Sequence, residues 1–265
     1  MKKILVSALL ALSCSSVFAA DIPQTQTDPA FIKVQELIKA KNYTEAYQEL
    51  DKMGKTGNAQ ALYNLGFLTQ MGQGTAKDDK KALKYYQESA SKGYPVANYV
   101  LAQSYATGSL GLTKDDKKAR EYLEKASAQG FSDATVELAV LLFSENKPES
   151  DKKGLQKLDP LIKKGNFQAI HAKALYDITA GFKTKNEASI KQGLDAIQNL
   201  AQKGYIPALM AVANMMTNGN IVEQNLPEAK NIYTALVKDN VPRAKESLEV
   251  VNKLIAEQAK APAKK

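Results

Sequence analysis

Hydrophobic positions along this chain recur at three- and four-residue intervals and nowhere alternate, so the pattern predicts helices throughout and no strand. A longer period lies over that one. TAKDDKKALKYYQESASKGYPVA at 75–97 returns as LTKDDKKAREYLEKASAQGFSDA at 112–134. Self-similarity of this length marks stacked repeats, each a small unit that cannot bury its apolar face alone. Aligning on the turn residue that closes the stretch gives Gly57, Gly93, Gly130, Gly165, Gly204 and Asn240, with steps of 36, 37, 35, 39 and 36. Four residues after each turn stands an alanine: Ala61, Ala97, Ala134, Ala169, Ala208 and Ala244.

Eleven residues before each turn the occupant is small: Ala46, Ala82, Ala119, Gly154, Gly193 and Ala229. Four earlier come Asn42, Asp78, Asp115, Ser150, Ser189 and Asn225. All are preferred helix N-caps, whose side-chain oxygen accepts an orphan backbone N–H and contributes about 1 kcal/mol. Eight after the caps stand Leu50, Tyr86, Leu123, Leu158, Ile197 and Tyr233. Small at cap+4 and large at cap+8 lie on one helix face, so each unit holds a second helix of about fourteen residues. The first helix of each unit starts near the alanine column and carries Gly66, Ala102, Ala139, Ala174 and Ala213 nine residues after the turn. Gly-containing turns join the two helices at 71–78, 107–115 and 217–225. The predicted fold is all-α: a right-handed α-α superhelix of about five to six helix-turn-helix repeats over 42–245. A lead-in segment and helix (20–41) precedes it, a closing helix (246–258) caps it, and a basic tail (259–265) is expected to be disordered.

The first nineteen residues read as something else. Lys2 and Lys3 precede an apolar run at 4–12 that is too short to span a bilayer, and Val17 and Ala19 stand at the −3 and −1 positions of a cleavage site. The expectation is a secretory signal peptide (1–19) cut between Ala19 and Ala20. A lipid anchor at Cys14 is the lesser alternative, because the Leu such a signal needs three residues before the cysteine is Ala11 here. After cleavage no cysteine is left to form a disulfide, so stability must come from packing. The net charge of +8 is modest and interspersed with acids. It reads as solvated helix starts, and nucleic acid is not expected as a partner.

LYNLGFLTQMGQGTAKDDKKALKYYQESASKGYPVA (62–97) resembles the Sel-one-like repeat (SLR), a subset of the tetratricopeptide superfamily. The resemblance rests on Leu65-Gly66, the Gly72-x-Gly74 turn, Asp78, Ala82 and Lys92-Gly93-Tyr94. The next unit repeats it through Leu101-Ala102, Tyr105, Gly108, Asp115, Ala119 and Gly130, and the fifth through Gly204-Tyr205, Asn214, Gly219 and Ala229. Units three and four lack the Gly-x-Gly turn, and Pro160 falls inside the third unit's second helix, where a kink is expected.

No residues assemble into a catalytic constellation. His171 is the single histidine, with no partner for metal binding or nucleophilic catalysis. Asp78, Asp79, Asp115, Asp116 and Asp151 sit at helix starts, where capping and the helix dipole already account for them. Neither enzyme activity, cofactor nor metal is expected.

What the resemblance implies is a partner-binding groove lined by the first helices. Its columns lie six residues after each turn (Tyr63, Tyr99, Val136, His171, Met210) and ten after (Phe67, Gln103, Val140, Leu175, Asn214). Val136, Val140 and Leu175 suit core and groove equally. Tyr63, Tyr99, Gln103 and Asn214 are expected to be exposed, because their polar ends want water or a partner, and Tyr99→Ala is expected to weaken binding with little loss of stability. The implied function is a non-enzymatic scaffold of the bacterial periplasm that binds another protein or peptide as adaptor, assembly factor or inhibitor. A periplasmic immunity protein neutralising a secreted toxin, and a cell-wall glycan or antibiotic binder or hydrolase, are the alternatives.

Overall fold

The computed structural model describes residues 29–260. The expected signal peptide, Ala19 and Ala20, Cys14 and residues 261–265 of the tail lie outside the described residues. Among the described residues there are thirteen helices and no strand: α1 (Pro29–Lys39), α2 (Tyr43–Lys55), α3 (Ala59–Met71), α4 (Asp79–Ser91), α5 (Pro95–Thr107), α6 (Asp116–Ala128), α7 (Ser132–Ser144), α8 (Pro148–Lys163), α9 (Phe167–Thr184), α10 (Glu187–Gln202), α11 (Ile206–Asn218), α12 (Leu226–Lys238) and α13 (Ala244–Lys260). They form two compact units divided inside α8, after Lys157.

Within each unit consecutive helices pack as hairpins, α3 on α4 and α5 on α6 in unit 1, α9 on α10 and α11 on α12 in unit 2. The turn column carries this arrangement. Gly57, Gly93, Gly130, Gly165, Gly204 and Asn240 all have positive φ, between 56° and 88°, the left-handed conformation that ends a helix and reverses the chain. The alanine four residues later is fully buried in every repeat. So are Leu50, Tyr86, Leu123, Leu158, Ile197 and Tyr233, at 2% exposure or less, each contributing about 1.5–3 kcal/mol by burial. Ala97→Leu therefore inserts three carbons where none fit, and the denaturation midpoint should fall by the equivalent of about 1–3 kcal/mol. An unchanged midpoint would place Ala97 outside the helix contact.

Asp78, Asp115 and Asn225 cap α4, α6 and α12 as expected, each side chain accepting from backbone N–H. Asn42 precedes α2 without a side-chain cap bond. Units three and four depart from the column. Helix α8 starts at Pro148 and α10 at Glu187, so Ser150 and Ser189 lie inside their first turns. Asn186 caps α10 by accepting from Ser189 N at 3.1 Å. Ser150 instead donates to Glu145 Oε2 at 2.6 Å, and Glu145 in turn pairs with Arg120 at 2.6 Å.

The connections of these two hairpins also differ from those of the other repeats. Seven or eight residues join α3 to α4, α5 to α6 and α11 to α12, but three join α7 to α8 and two join α9 to α10. The second helices after these two connections, α8 and α10, run one turn longer, 16 residues against 13, whereas α2, which also follows a three-residue connection, has 13. Pro160 sits in the last turn of α8, exposed, and the helix continues past it to Lys163. There the missing N–H costs one hydrogen bond. Helix α13 runs Ala244–Lys260, starting two residues before and ending two residues after the expected 246–258, and Gln258 within it donates to Gln224 Oε1 at 2.8 Å.

Candidate functional site

The first helices of unit 1 are unusual in their charge. Helices α3 and α5 contain no Asp, Glu, Lys, Arg or His, and α7 contains only Asp133 and Glu137. The lysines and the arginine of this region sit in the turns and on α4 and α6. One face of these first helices packs on the second helices. The opposite stripe follows the turn by seven, ten and fourteen residues, which is one helical face. It carries Asn64, Phe67 and exposed Met71 on α3, Val100, Gln103 and Thr107 on α5, and Glu137, Val140 and Ser144 on α7, all at least partly accessible.

The column ten residues after the turn therefore lies on the accessible stripe; of the column six after, Tyr99 and His171 are buried and Tyr63, Val136 and Met210 are partly accessible. Tyr99 is 9% exposed in the apolar core of unit 1, its ring 5.1 Å from that of Phe131. That corrects the expectation of exposure: at this register the ring points between consecutive first helices, and burial raises its hydroxyl pKa. Tyr63 is half-buried between Tyr86 and Tyr94, with ring centroids at 5.7 and 5.3 Å, and burial pushes its hydroxyl up to about 12. Val136 is partly buried. In unit 2, Met210 packs against the core around Tyr233 and Leu175 against that around Ile178. Asn214 is exposed and accepts from the Tyr233 hydroxyl at 2.8 Å.

His171 is 6% exposed, edge-on to Tyr205 at 5.6 Å, and its Nε2 is buried without a hydrogen-bond partner. Burial drives its pKa down to about 4. A proton therefore binds the unfolded chain near pH 6.5 but the folded one only near 4. The sign follows: stability is complete above pH 6.5 and falls as pH drops through that window. Between pH 7.5 and 4.5 the chain should lose about 2–3 kcal/mol that His171→Leu does not lose. Parallel denaturation curves of the two proteins at both pH values read this directly; equal losses would contradict it.

Sequence reasoning missed Glu137, which lies seven residues after its turn, between the two columns. Gln103 Nε2 donates to both its carboxylate oxygens at 2.9 and 2.7 Å, and the Tyr99 hydroxyl bonds to it as well. Burial, with Asp133 adding to it, raises its pKa despite those bonds. Its signal in the sequence was the pair Asp133 and Glu137, one turn apart on α7, beside the uncharged α3 and α5.

A pocket of about 210 Å³ opens beside the same stripe, lined by Ile38, Tyr43, Asn64, Phe67, Leu68 and Gln73. The second helices carry a broader, shallow depression between Tyr47 and Tyr85. Of the three lysines lining it, Lys55 is paired to Asp51 at 2.6 Å and Lys52 to Glu49 at 3.1 Å, while Lys81 lies 5.7 Å from both ring centroids; the two tyrosine hydroxyls satisfy each other at 3.1 Å. Among the described residues, no three His, Cys, Asp or Glu groups are placed to hold a metal ion, and no helix is long and apolar enough to cross a membrane.

A family model for the Sel1 repeat matches residues 59–94 and 95–131, which are α3–α4 and α5–α6 with their closing turns. The chain carries two Sel1 repeats. Solved structures that share the fold include the following two. A Sel1 repeat protein from Oxalobacter formigenes is 22% identical, with a TM-score of 0.67 over 90% of this chain and 93% of that one. The SLR-fold protein c5321, a protective antigen present in uropathogenic Escherichia coli strains, is 22% identical with a TM-score of 0.62. That match covers 80% of this chain, which spans 45% of the length of c5321. No curated protein matches the sequence. Sel1 repeats commonly mediate protein–protein interaction, and SLR-fold proteins are generally non-catalytic scaffolds. Here the turn and alanine columns carry the repeat architecture beyond residue 131, to Asn240 and Ala244.

Proposed function

We propose that this chain is a non-enzymatic scaffold of the bacterial periplasm that binds another protein on the first-helix face of its repeats. The observation that carries the reading is the stripe on α3, α5 and α7: regularly spaced, partly accessible apolar and amide side chains on rigid helices, with every cation kept off it. Such a surface loses little on desolvation and presents fixed shape, as protein interfaces require. The second helices, by contrast, bear mixed and mutually paired charges such as Arg120 with Glu124 and Lys55 with Asp51, which suit solvent. Export rests on the basic start, short apolar run and Val17–Ala19 site of the N-terminus.

Fractionation of cells followed by intact-mass measurement tests the export. The account expects periplasmic protein starting at Ala20; uncut protein in the cytosol, or a lipid-modified chain starting at Cys14, would overturn it. Incubation with purified peptidoglycan tests the non-enzymatic reading, with no muropeptide release expected.

A further inference from the structure

Deepening that reading, on which it rests, we propose that the first-helix stripe of unit 1 docks an extended protein segment carrying a lysine or arginine, whose cation is received by Glu137. Asp133 adds negative charge beside it, and the segment's apolar side chains lie on Phe67, Met71 and Val140.

Charge is unevenly distributed over the chain. The full chain is +8, yet α3, α5 and α7 together hold two carboxylates and no cation. On the second helices acids and cations are interspersed and often paired, whereas on these three first helices the two carboxylates of α7 stand with no cation beside them, so a basic segment finds uncompensated negative charge here. Electrostatic complementarity of this kind selects partner and register more than it adds raw affinity. Glu137 is the focus because it is held rather than free. Gln103 fixes both carboxylate oxygens at 2.9 and 2.7 Å, so the acceptor does not have to be ordered on binding. No ion pair among the described residues involves Glu137, whereas Glu49, Asp51, Glu124 and Glu145 all have one. A carboxylate this buried, with a second acid beside it, keeps its charge at a cost. An arriving cation offsets that cost, which is why the occupant is basic rather than merely apolar.

The apolar half of the segment has its own seat. The 210 Å³ pocket beside Phe67 and Asn64 is large enough for one apolar side chain, and Met71 stands 55% exposed at its helix end. First helices stacked about 10 Å apart put α3 on the order of 20 Å from α7. At about 3.3 Å per extended residue that is roughly six residues. The segment therefore carries its cation about six residues from a large apolar side chain.

The test selects a twelve-residue random peptide library against the full chain from residue 20 to 265. Recovered peptides are expected to place Lys or Arg about six residues from a large apolar residue. Replacing that cation by Gln should weaken binding roughly tenfold. Glu137→Gln, which keeps an oxygen for Gln103, should weaken binding by the same factor, and the two changes together should cost no more than either alone. If Glu137→Gln fails to fold, the cation-to-Gln peptide and Asp133→Asn decide alone. Peptides that lose binding to Met71→Lys but are indifferent to their own cation and to Glu137 overturn the assignment of a basic partner and leave the docking face standing. Peptides indifferent to Met71→Lys as well, or no recovered peptide, remove the docking face and this proposal with it.

Discussion

Replacing Tyr99 by alanine should destabilise unit 1 by about 3–4 kcal/mol, the range for removing a large ring from a well-packed core. The ring is 9% exposed, packs with Val96, Ala102, Leu123 and Phe131, and lies 5.1 Å from the Phe131 ring. Truncation leaves a cavity between consecutive first helices, and packing this regular collapses only in part. It also withdraws the hydroxyl that bonds to Glu137. Tyr99→Phe keeps the ring and should cost about 1 kcal/mol, the worth of a single hydrogen bond. Urea denaturation of the three proteins reads both values. A Tyr99→Ala midpoint matching the native chain would mean that the ring stands in solvent and that the accessible stripe is wrongly registered.

Gly193→Ala should cost about 2–3 kcal/mol in unit 2, against the usual gain from alanine in a helix. The reason is backbone. A Cβ at this position would lie 2.5 Å from the Ala174 carbonyl oxygen and 2.7 Å from Ile178 Cγ1, and a carbonyl cannot swing aside as a side-chain tip can. Gly154 in unit three is placed likewise, 2.5 Å from the Phe143 ring and 3.1 Å from the Ala139 oxygen. Both glycines belong to the two units with short connections. Where seven or eight residues join the helices, the same column is alanine: Ala82, Ala119 and Ala229. In these two hairpins the helices approach closely enough to exclude a methyl group, whereas α2, which also follows a three-residue connection, carries Ala46 in the column. Gly204→Ala serves as the control: nothing lies within 4 Å of its Cβ. Its positive φ of 76° costs only the about 1–2 kcal/mol of a left-handed alanine. A denaturation midpoint unmoved by Gly193→Ala would contradict the close approach.

The repeat was legible because its columns answer to steric rules that tolerate little choice. A helix reversal needs positive φ, so the turn residue is Gly or Asn; a close helix contact needs a small side chain, so the next column is alanine. The starts of α8 and α10 were not legible from the same columns. Ser150 and Ser189 are good N-caps in the right register, but the helices start three residues earlier than those caps would set. The signs were Pro148, which suits a first helical turn, and Asn186 just before Glu187.

The accessible stripe was half legible. Tyrosine at the sixth position serves a core as well as a surface, because its hydroxyl can find a buried partner, and only packing decides. Charge was the better guide: Asp133 and Glu137 lie one turn apart in a helix, where residues four apart share a face, and no charge appears on α3 or α5 to compete.

The most direct test of the docking face is a photo-crosslinking residue placed at Met71 or Val140, and separately at Lys84 or Lys117 on the second helices, in cells that make the protein. The account predicts a discrete crosslinked partner from the first pair of positions and none from the second. Crosslinks of equal yield from both faces, or from the second helices alone, would contradict it.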